Sequence, residues 1–166
     1  MVDDRDAVER QLGRPPRAFR RVAVRCPWGL PAVTEQEPYD VHGEPFPTTY
    51  YLTCRYLVAA VARLEAARGV ERWGEAVAGD PALARSVERA ADEQRALRLE
   101  LAHGRTGRDS GASLALGVGG ARRPDRLKCL HAHAAFALAR PGYELGERVL
   151  AEVVPPWPPA CCSAPS

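Results

Sequence analysis

Isoleucine and asparagine are absent from this chain, and lysine occurs once, at Lys128. All three are specified by A/T-rich codons, while the abundant Ala, Arg, Gly and Pro use G/C-rich ones, so the deficit reads as the bias of a G/C-rich genome. The same bias accounts for 22 Arg beside a single Lys. With a net charge of +2 and no clustering, those arginines are not a nucleic-acid footprint, and nucleic acid is set aside as a partner. No apolar run approaches the ~20 residues that a membrane-spanning helix needs. The opening Met1-Val2-Asp3-Asp4-Arg5-Asp6 is acidic with no apolar stretch behind it, so no secretory leader is expected and a cytoplasmic location is. In a reducing cytosol the five cysteines are expected as thiols, core fillers or metal ligands. There is no Cys-x-x-Cys pair, no His-Glu-x-x-His, no nucleophile elbow and no recognisable acid pair, which removes the commoner hydrolase signatures.

What is present fits one domain. At 166 residues the chain buries enough surface to fold without disulfide or metal. Residues 1–154 are expected as a single globule and 155–166, rich in proline, as a disordered tail. The codon bias makes its exceptions informative. Lys128 stands beside Cys129, and four of the eight Phe and Tyr and three of the five Thr fall between Phe46 and Tyr56. Those two segments are chemically unlike the rest.

Periodicity predicts a predominantly helical α+β fold, a small antiparallel sheet packed by four to five helices. Asp6 with Glu9 resembles a capping box for a helix ended by Gly13. Val22, Val24 and Cys26 alternate with Arg21, Ala23 and Arg25, as in a strand with one apolar face. Val33 to Val41 reads as irregular chain or a short edge strand. Thr48 to Thr53, β-branched and aromatic, is the strongest strand. Helices follow from about Cys54 to Arg68 and Glu71 to Ala78. A long one starts at Asp80-Pro81, with Leu83, Val87, Ala90, Leu97 and Leu101 on one face. Six glycines between Gly104 and Gly120 predict a mobile loop. Pro124-Asp125 predicts the start of a helix closed by Pro141-Gly142, and a last helix covers Glu144 to Val153.

Two constellations carry chemistry. The first is thiol and imidazole. Cys54 lies where strand gives way to helix, a position that stabilises a thiolate. Cys129 opens Lys128-Cys129-Leu130-His131-Ala132-His133. At ~100° per residue Cys129 and His131 point apart, whereas Cys129 and His133 are one turn apart. Zinc, with about four ligands, would draw on Cys26, Cys54, Cys129 and His133, with His103 in reserve. As core fillers, the same cysteines would be inert. Catalytic candidates are Cys54, Lys128, Cys129 and His131. The second constellation suits an anion: Gly119 and Gly120, then Arg122, Arg126 and Lys128, at the predicted helix start. The competing reading is a flexible loop with solvated arginines.

Four motifs occur in a familiar order: Arg10-Gln11-Leu12-Gly13-Arg14-Pro15-Pro16, Arg25-Cys26-Pro27-Trp28-Gly29-Leu30-Pro31, Pro45-Phe46-Pro47-Thr48-Thr49-Tyr50-Tyr51-Leu52-Thr53-Cys54 and Pro124-Asp125-Arg126-Leu127-Lys128-Cys129-Leu130-His131. Together they resemble the bacterial domain-of-unknown-function family 501, common in actinobacteria, over about residues 8 to 150. The resemblance implies a cytosolic bacterial protein with a link to cell-envelope growth or phosphate metabolism. Cys26, Cys54, Lys128, Cys129 and His131 match its pattern. Phe136 and Asp92 stand where that pattern has histidines, and Tyr143-Glu144 where it has Asn-Pro, which puts a histidine-based site in doubt for this chain.

The expectation is a small-ligand or metal-binding protein, with an enzyme included, whose site joins the Tyr50–Cys54 strand end to the Lys128–His133 segment. The alternative is a non-enzymatic protein whose long helix and proline-rich tail contact a protein partner.

Overall fold

A computed structural model describes residues 3–162. Among these, six α-helices surround a three-stranded antiparallel sheet of order β1-β2-β3, the predominantly helical α+β fold expected. The first helix, α1 (Asp4–Leu12), begins earlier than the sequence pattern placed it. Asp3, not Asp6, is its cap, accepting from the Arg5 N–H at 2.8 Å, and Gly13 ends it in the left-handed region.

The sheet consists of β1 (Phe19–Arg25), β2 (Pro31–Gln36) and β3 (Tyr50–Leu52). Its centre is a correction to the sequence reading. The stretch expected as irregular or an edge supplies the middle strand β2, buried at all six positions. The aromatic segment supplies only the three-residue edge strand β3, with Leu52 opposite Val33 and Tyr50 opposite Glu35. Thr-Glu-Gln looks like a loop in sequence. In the fold, buried Glu35 is held by Arg21 through a forked pair (3.2 and 2.7 Å) and by Arg20 at 2.8 Å. Charge-assisted bonds of this kind let a carboxylate sit inside a strand.

From the sheet the chain runs into α2 (Arg55–Ala66), α3 (Gly69–Gly79) and the long α4 (Pro81–Ala102). Asp80 caps α4 by accepting from the N–H groups of Ala82 and Leu83. The glycine-rich stretch that follows is built from turns, with short 3-10 segments at Ala112–Ala115 and Val118–Gly120. Helix α5 (Leu130–Ala139) starts five residues after Asp125, because Arg123, Pro124 and Asp125 form a turn closed by the Arg123–Asp125 ion pair. Apolar around most of its circumference, α5 is the central helix, with Leu130 and Ala132 to Ala137 buried. The chain closes with α6 (Glu144–Ala151). Beyond it the proline-rich segment carries no regular element and lies against the domain as far as Cys162. The Tyr56 hydroxyl donates to the Pro155 carbonyl, and Trp157 and Cys162 pack on the core.

No helix among the described residues is long and apolar enough to cross a membrane. Large exposed apolar side chains are scattered, at Trp28, Val41, Leu99 and Val154, and only Leu99 is on α4.

The α5–α6 contact depends on a missing side chain. A Cβ on Gly146 would lie 2.3 Å from the His133 carbonyl oxygen and 2.5 Å from the Ala137 Cβ. Overpacking against backbone cannot be relieved by a rotamer change. Gly146→Ala is therefore expected to destabilise the fold by about 2 kcal/mol or more, lowering Tm by about 4 °C or more. A thermal melt that matches the wild type would refute this packing.

Candidate functional site

The two unusual segments face each other. Arg98 of α4 donates from Nη1 to the Phe46 carbonyl at 2.9 Å, and the Phe46 N–H donates to the Pro38 carbonyl at 2.8 Å, which fixes the approach to β3. Opposite, the Leu130 N–H at the start of α5 donates to Glu65 Oε1 at 2.6 Å. Between them lies a cleft of about 320 Å³. Thr48, Tyr50, Tyr51 and Leu52 form one wall, and Val58, Cys129, His131 and Ala132 the other. That volume falls in the range of small-molecule sites, and the lining combines apolar surface with a few polar groups.

A second, wider cavity of about 610 Å³ adjoins along the chain, at Pro47 and Lys128. It collects four of the five residues proposed for an anion, Gly119, Gly120, Arg122 and Lys128, together with Ser113 and Asp109. Arg126 is exposed and does not line it. The helix start invoked for that site is displaced to Leu130, so the anion would meet side-chain cations and the Gly119–Gly120 backbone, not a helix end. Both glycines have positive φ (69° and 74°). A Cβ on Gly119 would lie 3.2 Å from the Ala132 Cβ and 3.9 Å from Cys129 Sγ, and one on Gly120 would lie 3.0 Å from the Pro47 Cβ. The glycine pair is thus a wedge between the two cavity walls. Asp109 carries the opposing charge. Burial raises its pKa, but bonds from Ser113, Tyr39 and the Gly111 N–H outweigh that and hold it at about 2.

A family model described as Protein of unknown function (DUF501) matches residues 22–151. The chain belongs to this family. No curated protein and no solved structure matches it. The DUF501 match spans both walls of the cleft and the whole second cavity.

Within this DUF501 domain the thiols and imidazoles have separate surroundings. Cys129 precedes α5 in extended conformation (φ −154°), so the one-turn relation to His133 expected from a continuous helix does not exist. Burial pushes the Cys129 thiol up. Backbone N–H groups of Ala132 and His131 and the charge of Lys128 act against this, while Glu65 adds to it. His131 has Nδ1 3.1 Å from Glu65 Oε1 and Nε2 3.1 Å from the Val58 carbonyl. Both neighbours are acceptors, and a ring with one N–H satisfies one of them while a doubly protonated ring satisfies both. Set between Glu65 and the Val58 carbonyl, His131 braces α5 against α2. His133 is sealed in the core with Nδ1 2.6 Å from the Tyr143 hydroxyl. Cys54 lies against Cys162. Burial is the largest influence on its thiol, the neighbouring Cys162 adds to it, and its pKa is pushed up to about 11. A thiol so shifted is not the activated thiolate its place at the α2 start predicted. Cys26, past the end of β1, is also core, with β2 lying between β1 and β3.

Among the described residues no group of three or more His, Cys, Asp or Glu is placed to hold a metal ion. The zinc set Cys26, Cys54, Cys129 and His133 is not gathered among the described residues: Cys54 lies against Cys162, His133 bonds Tyr143, and the reserve His103 ends α4. Where the resemblance has a histidine, Phe136 packs edge-on against Tyr50 and Tyr143, at 5.6 and 5.4 Å between ring centres. Asp92 pairs with Arg95 on the exposed side of α4.

Sequence reasoning missed Glu65, Arg98, Gln94 and Ser113. Glu65 has no local signal, since its partners Leu130 and His131 lie more than sixty residues along the chain. Gln94 and Arg98 had a readable signal. The buried face of α4 runs Leu83, Val87, Ala90, Gln94, Arg98, Leu101, so two polar residues occupy core positions of one helical stripe.

The buried His133 gives a pH prediction. Burial lowers its pKa from 6.5 to about 4, so between these values the unfolded chain takes up a proton that the folded chain refuses. Stability should therefore fall as pH drops from about 6.5 to about 4, by up to ~1.4 kcal/mol per pH unit from this group. Asp109, depressed toward about 2, acts only below that window. Denaturant titrations across pH 4 to 7 should show a shallower acid-side slope in His133→Gln, and an unchanged slope would be the contrary result.

Proposed function

We propose that this protein is a cytosolic small-ligand binding protein, holding a partly apolar body in the cleft between β3 and the start of α5 and an anionic group in the adjoining cavity. The observation that carries the reading is the cleft itself. Its lining draws on both segments whose composition departs from the chain's codon bias, some eighty residues apart in sequence, with Val58 of α2 added to them. Leu52, Val58, Ala132 and the faces of Tyr50 and Tyr51 suit the body, and Thr48 with the Tyr51 hydroxyl offers polar contacts. Lys128 and Arg122 suit the anion. Arg98, fully buried behind the Phe46 carbonyl, adds positive potential to the same region. The cytosolic location is supported by five cysteines that stand free, two of them side by side.

The test is a thermal-shift titration with small phosphorylated and carboxylated metabolites, each beside its uncharged parent. Stabilisation that grows with the logarithm of ligand concentration is expected for anionic members alone. Lys128→Gln should weaken such a ligand about tenfold or more, the loss of one charge-assisted bond. Cys129→Trp, which fills the cleft, should abolish binding while far-ultraviolet circular dichroism stays wild-type. Ligands bound equally well by both variants would overturn the assignment.

A further inference from the structure

Tyr50, a wall of the cleft, accepts a hydrogen bond on its hydroxyl from Arg140 Nε at 3.2 Å, and Arg140 lines a different cavity. This one is small, about 110 Å³, and lies between α4 and the turn joining α5 to α6. Ser86, Arg89 and Glu93 reach it from α4, and Arg140 and Tyr143 from the turn, with Phe136 beneath. Nothing in the cleft reading uses it.

Three features indicate an occupant. Ser86 is 2 % exposed, yet its hydroxyl has no hydrogen-bond partner among the described residues. A buried hydroxyl in that state gains from any acceptor that enters. Second, the ion pairs of this stretch run from Asp92 to Arg95 and, at a loose 3.5 Å, from Glu93 to Arg140, so Arg89 is left uncommitted among the described residues. Third, the space accommodates one tetrahedral oxyanion, or three to four waters at ~30 Å³ each.

We propose that this cavity binds inorganic phosphate. The Ser86 hydroxyl, the Arg89 guanidinium and the Arg140 guanidinium supply three donor groups from two directions, which the divergent oxygens of a tetrahedral anion meet better than the coplanar pair of a carboxylate. Glu93 completes the selection. Its carboxylate is an acceptor only, so it repels a fully ionised oxyanion and accepts a hydrogen bond from one that still carries a proton. Phosphate near neutral pH keeps such a P–OH group, and sulfate does not.

The experiment is equilibrium binding of radiolabelled inorganic phosphate to the full chain, with sulfate as competitor. Expected is one saturable equivalent, with sulfate competing at least about tenfold more weakly. Arg89→Gln, an exposed position that leaves the core untouched, and Ser86→Ala should each weaken phosphate about tenfold or more. Glu93→Gln should bring sulfate to within about threefold of phosphate. The double variant Arg122→Gln/Lys128→Gln, which strips the cations from the cavity beside the cleft, should bind phosphate as the wild type does. The proposal is overturned by absence of saturable binding, by binding indifferent to Arg89→Gln, by sulfate equal to phosphate in the wild type, or by loss of binding in the double variant. The last result would place the ion in the 610 Å³ cavity instead.

Discussion

A guanidinium sealed inside the domain holds the site region together. Arg98 is fully buried on α4, donates to the Phe46 carbonyl and toward Thr49, and has no ion-pair partner among the described residues. Its Nε and Nη2 have no hydrogen-bond partner among the described residues. Burial disfavours the charge and lowers its pKa, while the fields of Tyr39 and Asp109 act the other way. An interior cation of this kind is expensive, and its compensation is shared between a backbone carbonyl on one side and a more distant carboxylate on the other. Asp109 in turn ties down the glycine-rich chain by accepting from the Gly111 and Ser113 N–H groups and the Tyr39 hydroxyl. Through this one charge α4 organises both the approach to β3 and the turns that carry Ser113, Gly119 and Gly120.

The same helix explains what the sequence disclosed and what it hid. Composition alone pointed to the two segments that line the cleft, because a strong codon bias makes retained Thr, Tyr and Lys conspicuous. The helices were readable from caps and periodicity, α4 from Asp80-Pro81 onward. The sheet was readable only at its edges. β2 contains Thr34, Glu35 and Gln36, and nothing local announces that arginines on β1 will neutralise the carboxylate. The start of α5 misled for a related reason. Pro124-Asp125 has the form of a helix opening, but the residue that caps the helix is Cys129, whose side chain makes no capping bond, while Glu65 from another helix satisfies the first N–H. Local signals fail where a tertiary partner supplies the missing bond.

The thiols and imidazoles, the most conspicuous chemistry in the sequence, divide between the core, which takes Cys26, Cys54 and His133, and the cleft wall, which takes Cys129 and His131. His131 links α5 to α2, His133 links α5 to the start of α6, and Cys54 meets the returning tail. Open volume lies on both sides of Tyr50, in the cleft and in the smaller cavity beside Arg140. The ring of Tyr50 belongs to the cleft and to an aromatic stack with Phe136, and its hydroxyl belongs to Arg140. A displacement of Arg140 would therefore be felt at the cleft wall through a single hydrogen bond.

The buried Glu35 also bears on how the sheet avoids errors of assembly. Successive strand side chains point to opposite faces, so a one-residue slip of β2 would exchange its two faces. An all-apolar β2 would tolerate that exchange, since either face would find grease. With Glu35 in the strand, only the alignment that sets Arg20 and Arg21 within 2.8 Å of its oxygens avoids stranding a carboxylate in the interior. The ion pair need add little net stability to do this. Its worth is the penalty it imposes on every misaligned sheet, which makes Glu35 a proofreading residue for strand order in a chain whose third strand is only three residues long.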